Sequence, residues 1–396
     1  MILDKLFQVM AEKQASDIFI SAGAPINIKI QGSTIPINQK VMDPETVRRM
    51  AYEFLNPEQV KRFEETREMN LSFGRRDVGN FRVNMFYQRG SISIVVRYIS
   101  HEIPPLEQLG LPPVLADMIM EKRGLILVVG ATGSGKSTTI ASMIDHRNSN
   151  RAGHILTVED PIEYLYRHKK SIVNQREIGI DTMDWDAALK NAMRQAPDCI
   201  LIGEIRDRET MQAALSYAQT GHLCMATLHS NNAYHTMNRI INFFPHDSRG
   251  LLFLDLAVTL RCIVSQRLVK KPNGKRIPAV EVLLNTRHVS ELVQRGDINA
   301  IKEAMEQSLA PGSQTFEQDL FRLYREGFIT LEEALANSDS PTNLSWLINN
   351  SQFGPTETIG AQRSEPAPTA ARNEFEKTVP GTGASFTEFT LNLDGS

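Results

Sequence analysis

Two hydrophobic periodicities divide this chain. Apolar side chains at Ile2, Leu3, Leu6, Val9 and Met10 keep helical spacing, so residues 2–13 read as an amphipathic helix. Ile18 and Ile20, then Ile26, Ile28 and Ile30, alternate with other side chains, and a turn at Gly32-Ser33 precedes Ile35 and Ile37. That pattern predicts a small meander. Pro44, behind a capping Asp43, opens a helix to about Leu55, and Pro57 opens another toward Arg67. Strands are expected over 71–73, 81–85 and 92–98, with a bend at Gly90-Ser91. Residues 1–100 thus form a mixed α+β block able to fold alone.

A Pro-rich stretch over 101–113 reads as a semi-rigid linker. From Val114 the period changes. Apolar runs over 124–129, 154–160, 198–204 and 221–229 alternate with helical stretches over 137–146, 185–195 and 207–219. Strands alternating with helices predict a mostly parallel sheet covered on both faces. Helices are then expected over 231–243 and 248–264, and short strands at Leu268 and 277–284 flank the turn Pro272-Asn-Gly-Lys275. Helical segments from about 287 to 349 complete a second domain over 114–350. Past Gln352 the chain turns rich in Pro, Gly, Thr, Ala and Ser, and 351–396 reads as a disordered tail. Phe386 and Phe389 are its candidates for a docking element, though a passive tail is the simpler reading.

The candidate chemistry sits where this second pattern starts. Gly130, Ala131, Thr132, Gly133, Ser134, Gly135, Lys136, Ser137 and Thr138 lie between a buried strand and a helix start, the context a P-loop requires. Glycines let the backbone close around phosphates, so that N–H groups point at negative charge. Lys136 suits the outer phosphates of ATP, and the Ser137 hydroxyl suits Mg²⁺. Later strands each end in a polar group: Glu159 with Glu163 close behind, then Glu204 after Gly203, then His229. In open α/β sheets ligands bind outside the carboxyl ends of strands, so these residues are expected to converge on Lys136. Glu204 suits the metal shell, Glu163 or Glu159 suits orientation of the attacking water, and His229 suits the γ-phosphate. Arg82, Arg89 and Arg97 crowd the last strands of the first block, either solvated or reaching a neighbouring subunit's nucleotide as arginine fingers.

Composition narrows the class. The 396 residues carry a net charge of −3 and no long basic tract, which disfavours nucleic acid as partner. Asp4 and Lys5 interrupt the N-terminal apolar pattern, unlike a signal peptide, and no apolar run is long enough to span a bilayer. Cys199, Cys224 and Cys262 are far apart in apolar surroundings, which points to reduced thiols in a cytoplasmic protein.

The series from Gly130 to Ser137, Glu159-Asp-Pro-Ile-Glu163, Gly203-Glu-Ile-Arg-Asp207 and Thr220-Gly-His-Leu through Thr227-Leu-His229 resembles the secretion ATPase superfamily. Within it the chain is similar to the type IV pilus retraction ATPases, the PilT/PilU family. Met193-Arg-Gln-Ala-Pro-Asp198, Gly221-His-Leu-Cys224 and the long tail look more like the PilU branch. The resemblance covers residues 1 to about 350. It implies a PAS-like N-terminal domain, a RecA-like ATPase domain, and a homo-hexamer binding ATP and Mg²⁺ between subunits. It makes Glu159 to Glu163 an acidic box, Glu204 the Walker B glutamate, and His222 with His229 a histidine box. Arg82, Arg97 and Arg194 become candidates for nucleotide binding or domain coupling, while Lys190 departs from the family's arginine. The stretch from Glu291 to Gly296 departs from a helix tied to retraction in that family. Implied partners are a PilT-like retraction ATPase and the inner-membrane pilus platform protein, with attachment to the membrane peripheral. Hydrolysis would drive pilus retraction and twitching motility. The alternatives are a pilus-extension or type II secretion ATPase, whose four-cysteine zinc module three cysteines cannot build, and a nucleotide-loaded structural subunit with negligible turnover.

Overall fold

The computed structural model describes residues 2–350 except 14, 31–32, 76–77, 100–101 and 309, so the expectations for Gly32 and for Phe386 and Phe389 fall outside the described residues. The chain forms two compact units, the first ending at Ile99.

The first unit runs α1 (Ile2–Glu12), β1 (Asp17–Ser21), β2 (Pro25–Ile30), β3 (Ser33–Val41), α2 (Pro44–Glu53), α3 (Pro57–Thr66), β4 (Glu68–Arg75), β5 (Gly79–Gln88) and β6 (Ser91–Ile99). Its strands make one antiparallel sheet in the order β3-β2-β1-β6-β5-β4. Asp43 caps α2 by accepting from the Thr46 amide at 2.9 Å, and Asn56 with Gln59 forms a capping box on α3. The alternating isoleucines bury one sheet face with Leu6, Phe7 and Met10 of α1. Phe7 lies 4.5 Å from Phe81 between ring centroids, so the helix docks on an aromatic cluster.

The second unit continues α4 (Val114–Met120), β7 (Gly124–Val129), α5 (Lys136–Asn150), β8 (Gly153–Glu159), β9 (Ser171–Glu177), α6 (Trp185–Ala192), β10 (Cys199–Ile202), α7 (Arg208–Gln219) and β11 (Leu223–Leu228). It then passes through α8 (Ala233–Asn242), α9 (Arg249–Thr259), β12 (Leu260–Lys270), β13 (Arg276–Leu284), α10 (Arg287–Arg295), α11 (Ile301–Glu306), α12 (Phe316–Arg325), α13 (Leu331–Ala336) and α14 (Pro341–Asn350). The sheet order is β13-β12-β7-β11-β10-β8-β9. All neighbours pair in parallel except the β12–β13 hairpin. Apolar clusters lie on both faces, one with α6 to α11 and one with α4 and α5, as near-continuous hydrophobic strands demand.

One expectation about an element needs correction, and one strand carries no sign in the sequence pattern. The helix read over 248–264 stops at Thr259, because Leu260 enters an 11-residue strand that pairs in parallel with β7. The run Leu-Arg-Cys-Ile-Val is apolar at both periods, and pairing with β7 decides between them. The polar-looking β9 shows little strand periodicity, because only Ser171, Val173 and Glu177 on its inner face are buried.

Candidate functional site

The P-loop connects β7 to α5, and its shape follows from residues that cannot carry a Cβ. Gly130 and Gly135 hold φ values of 151° and 91°, and Gly133 one of 78°. A Cβ on Gly130 would fall 2.5 Å from the Gln266 carbonyl oxygen, and one on Gly135 would fall 2.7 Å from Gln266 Nε2. Gln266, buried on β12, donates 2.9 Å to the Ser134 carbonyl and accepts from Thr139 Oγ1 at 2.7 Å. The loop is therefore clamped from the neighbouring strand at both ends.

Lys136 Nζ donates to the loop's own carbonyls, 2.8 Å to Gly130 and 3.0 Å to Ala131. Burial lowers its pKa, and the carboxylates of Glu204 and Glu163 oppose that shift. The Thr138 hydroxyl meets the Tyr164 hydroxyl at 2.9 Å.

A cavity of about 570 Å³ opens over this loop. Thr132, Lys136, Ser137 and Thr138 line it from the P-loop, and Glu159, Glu163, Glu204 and His229 line it from the carboxyl ends of the parallel strands and the loops just after them. The expected convergence at the carboxyl ends of the strands is thus present. Gly133 and Gly135 also line the cavity, while Gly130, Ala131 and Ser134 shape the loop behind it.

The acids differ in setting. Glu159 ends β8 and is 9% exposed; one carboxylate oxygen accepts from Thr157 Oγ1 at 2.6 Å and from Gln175 Nε2 at 3.2 Å. Burial pushes its carboxyl up to about 7. Glu163, four residues on, is exposed. Glu204 is half-buried and already engaged: Arg206 Nε donates to it at 2.8 Å, and His229 Nε2 lies 3.5 Å from its other oxygen. Arg206 also reaches Asp160 at 3.3 Å, so it bridges the ends of β8 and β10. Gly203 sits where a Cβ would fall 3.1 Å from Glu159 Cα, so a side chain there would crowd the end of β8.

The candidate arginines lie on other elements. Arg82 and Arg97 face each other across β5 and β6 in the first unit, and Arg97 Nε donates 2.8 Å to Asp17. Arg89 occupies the turn before β6 with φ 47°. Arg194 is exposed in a turn after α6 and is not among the cavity-lining residues. His222 precedes β11 while His229 follows it, so the two histidines stand at opposite ends of one strand.

Sequence reading missed Gln175, Arg206, Gln266, Leu268 and Arg276. Leu268 and Arg276 line the cavity from the β12–β13 hairpin. Only Arg206, two residues past Glu204, carried a local signal. Among the described residues no group of three or more His, Cys, Asp or Glu is placed to hold a metal, and no helix is long and apolar enough to cross a membrane. Cys199, Cys224 and Cys262 are buried on three separate strands, with thiols pushed well above the usual range by burial.

A family model described as type II/IV secretion system protein matches residues 1–277. The type IV pilus ATPase PilU of Pseudomonas aeruginosa is 47% identical over 349 residues, 88% of this chain and 91% of that protein. The type IV pilus retraction ATPase PilT of the same organism is 38% identical, over 87% of this chain and 100% of that one. A crystal structure of the pilus retraction motor PilT with bound ADP superposes with a TM-score of 0.80 at 41% identity, covering 86% of this chain and 99% of that chain.

Proposed function

This chain belongs to the type II/IV secretion system protein family, and on that premise we propose that it is an ATPase motor for type IV pilus retraction, of the PilU kind. The observation that carries the reading is the cavity in which a P-loop lysine, glutamates at the ends of β8 and β10, a third from the loop after β8, and a histidine meet. Similarity to PilU and PilT over nearly the whole chain supplies the load that the cavity alone does not name.

In this reading Lys136 leaves the carbonyls of Gly130 and Ala131 for the outer phosphates of ATP, which offer a charged acceptor in their place. Mg²⁺ takes oxygen ligands and often keeps its waters, so Ser137 and the nucleotide would hold it. Bound there, it would neutralise charge between the β- and γ-phosphates. Glu204, with both oxygens engaged by Arg206 and His229, suits a role through water in the metal's shell. Glu163 is the better candidate to orient the attacking water, because it is exposed at the cavity while Glu159 is buried and already accepts from Thr157 and Gln175. His229 connects Glu204 to the γ-phosphate position.

The wider assembly follows from the family. We take residues 1–100 as a PAS-like domain, 114–350 as a RecA-like domain with C-terminal helices, and the working form as a homo-hexamer. Arg82, Arg97 and Arg194 then act at subunit boundaries, coupling neighbours or touching a neighbour's nucleotide. The ring sits on the cytoplasmic face of the inner membrane, on the pilus platform protein, and works beside a PilT-like ATPase. Purified protein should hydrolyse ATP with Mg²⁺, and Lys136→Ala and Glu204→Ala should each abolish turnover. Unchanged turnover in either variant overturns the site. In cells, loss of the protein should leave pili in place and impair twitching under load; loss of surface pili would mean extension.

A further inference from the structure

The helix that starts at the P-loop also grips the segment that enters this unit from the first hundred residues. α5 is 15 residues long, a rod of about 22 Å whose first residues are Lys136 and Ser137. Further along, Ser142 Oγ donates 2.6 Å to the Pro104 carbonyl. One turn on, Arg147 donates from one nitrogen to the carbonyls of Ile119 at 2.6 Å and Glu121 at 2.9 Å. At the end of the helix, Arg151 donates 2.8 Å to the Met120 carbonyl. The same face buries Ile140, Met143 and Ile144 against Leu106, Leu115 and Ile119.

The chemistry of this grip is costly. Ser142 and Arg147 are each 1% exposed, and among the described residues the Arg147 guanidinium is held by backbone carbonyls, with its second terminal nitrogen unpartnered. Taking such a cation out of water opposes folding, and an apolar side chain would fill the space more cheaply. Carbonyls at the end of α4 gain donors, and the gain is direction: the donors leave α4 one seating on α5.

We infer that Ser142, Arg147 and Arg151 are positioning residues that carry nucleotide occupancy at the P-loop into the linker and α4. A phosphate drawn to Lys136 and the first turn of α5 loads one end of a stiff helix. Its far face cannot shift without moving the acceptors at Pro104 and at residues 119–121. This rests on the nucleotide reading above, and the test separates the two.

Hydrogen–deuterium exchange on the full chain, with and without ADP and Mg²⁺, reads both. ADP should slow exchange at 132–138 and, at least threefold, at the amides of 106–109 and 115–121. In Ser142→Ala the P-loop response should stay and the response at 106–109 vanish. Arg151→Ala should do the same for 118–121. ATP turnover of both variants should stay within about threefold of the parent, since neither residue touches the cavity. A P-loop response without any linker response in the parent chain overturns the inference, as does a linker response that survives both variants. No P-loop response at all removes the nucleotide site itself, and the inference falls with it.

Discussion

The two sides of the P-loop are built differently. On one side β8, β10 and β11 run parallel and end in Glu159, Glu204 and His229, the groups that can act on a phosphate. On the other, β12 and β13 form an antiparallel hairpin that offers Gln266, Leu268 and Arg276. The first side supplies reactivity. The second holds the loop: Gln266 reaches Ser134 and Thr139, and the glycines are forced by its backbone and amide. A substitution should therefore change turnover on the first side and affinity or stability on the second.

Glu163→Gln tests the reactive side, where Glu163 follows β8 into the cavity. The amide keeps the shape but cannot accept a proton, and loss of a positioned base costs about 10²–10⁴-fold. We expect kcat to fall about 100-fold with KM for ATP nearly unchanged, measured by phosphate release. Equal kcat would move the role to Glu159 or His229.

Gln266→Ala tests the supporting side. It leaves the Ser134 carbonyl and the Thr139 hydroxyl without their partners in a buried site, a loss of about 1–3 kcal/mol. Because the loop must stay formed to bind, KM for ATP should rise about tenfold and kcat should fall less. A kcat loss larger than the KM rise would erase the division between the two sides. Arg276→Ala should do less. This exposed cation lines the cavity mouth, and its removal should raise KM about threefold at constant kcat.

This division also explains what was legible in the sequence. Glu159, Glu204 and His229 each follow an apolar run, so a strand and its terminal group are read together from neighbouring residues. The glycines of the P-loop are legible for the same reason. Gln266 carries no such mark: it lies inside β12, and its meaning comes from Ser134, 132 residues earlier in the chain. Arg206 was visible beside Glu204, but its bridge to Asp160 needs the pairing of β8 with β10. The histidine pair shows the converse. His222 and His229 look like one motif, yet a strand lies between them and only His229 reaches the cavity.

Two buried glutamates sharpen the contrast most finely, because they share a chemistry and sit on opposite sides. Glu159 ends β8, and Glu281 lies in β13, where it accepts from Ser265 Oγ at 3.0 Å and from the Ala233 amide at 2.7 Å. Burial pushes both carboxyls up to about 7 from 4.5. Below pH 4.5 folded and unfolded chains both hold these protons. Between 4.5 and 7 the unfolded chain releases them first, so each residue makes folding less favourable as pH rises through that window. Above 7 the cost is constant, at most about 3 kcal/mol for a shift of that size. Glu281→Gln keeps an acceptor for both donors and removes the titration. It should therefore be more stable than the parent at pH 8, by up to about 3 kcal/mol in denaturant unfolding. That advantage should shrink to nothing at pH 4, and turnover should stay unchanged. A stability difference that ignores pH would mean that Glu281 is ionised in the fold; a large loss of turnover would place it with Glu159, on the reactive side.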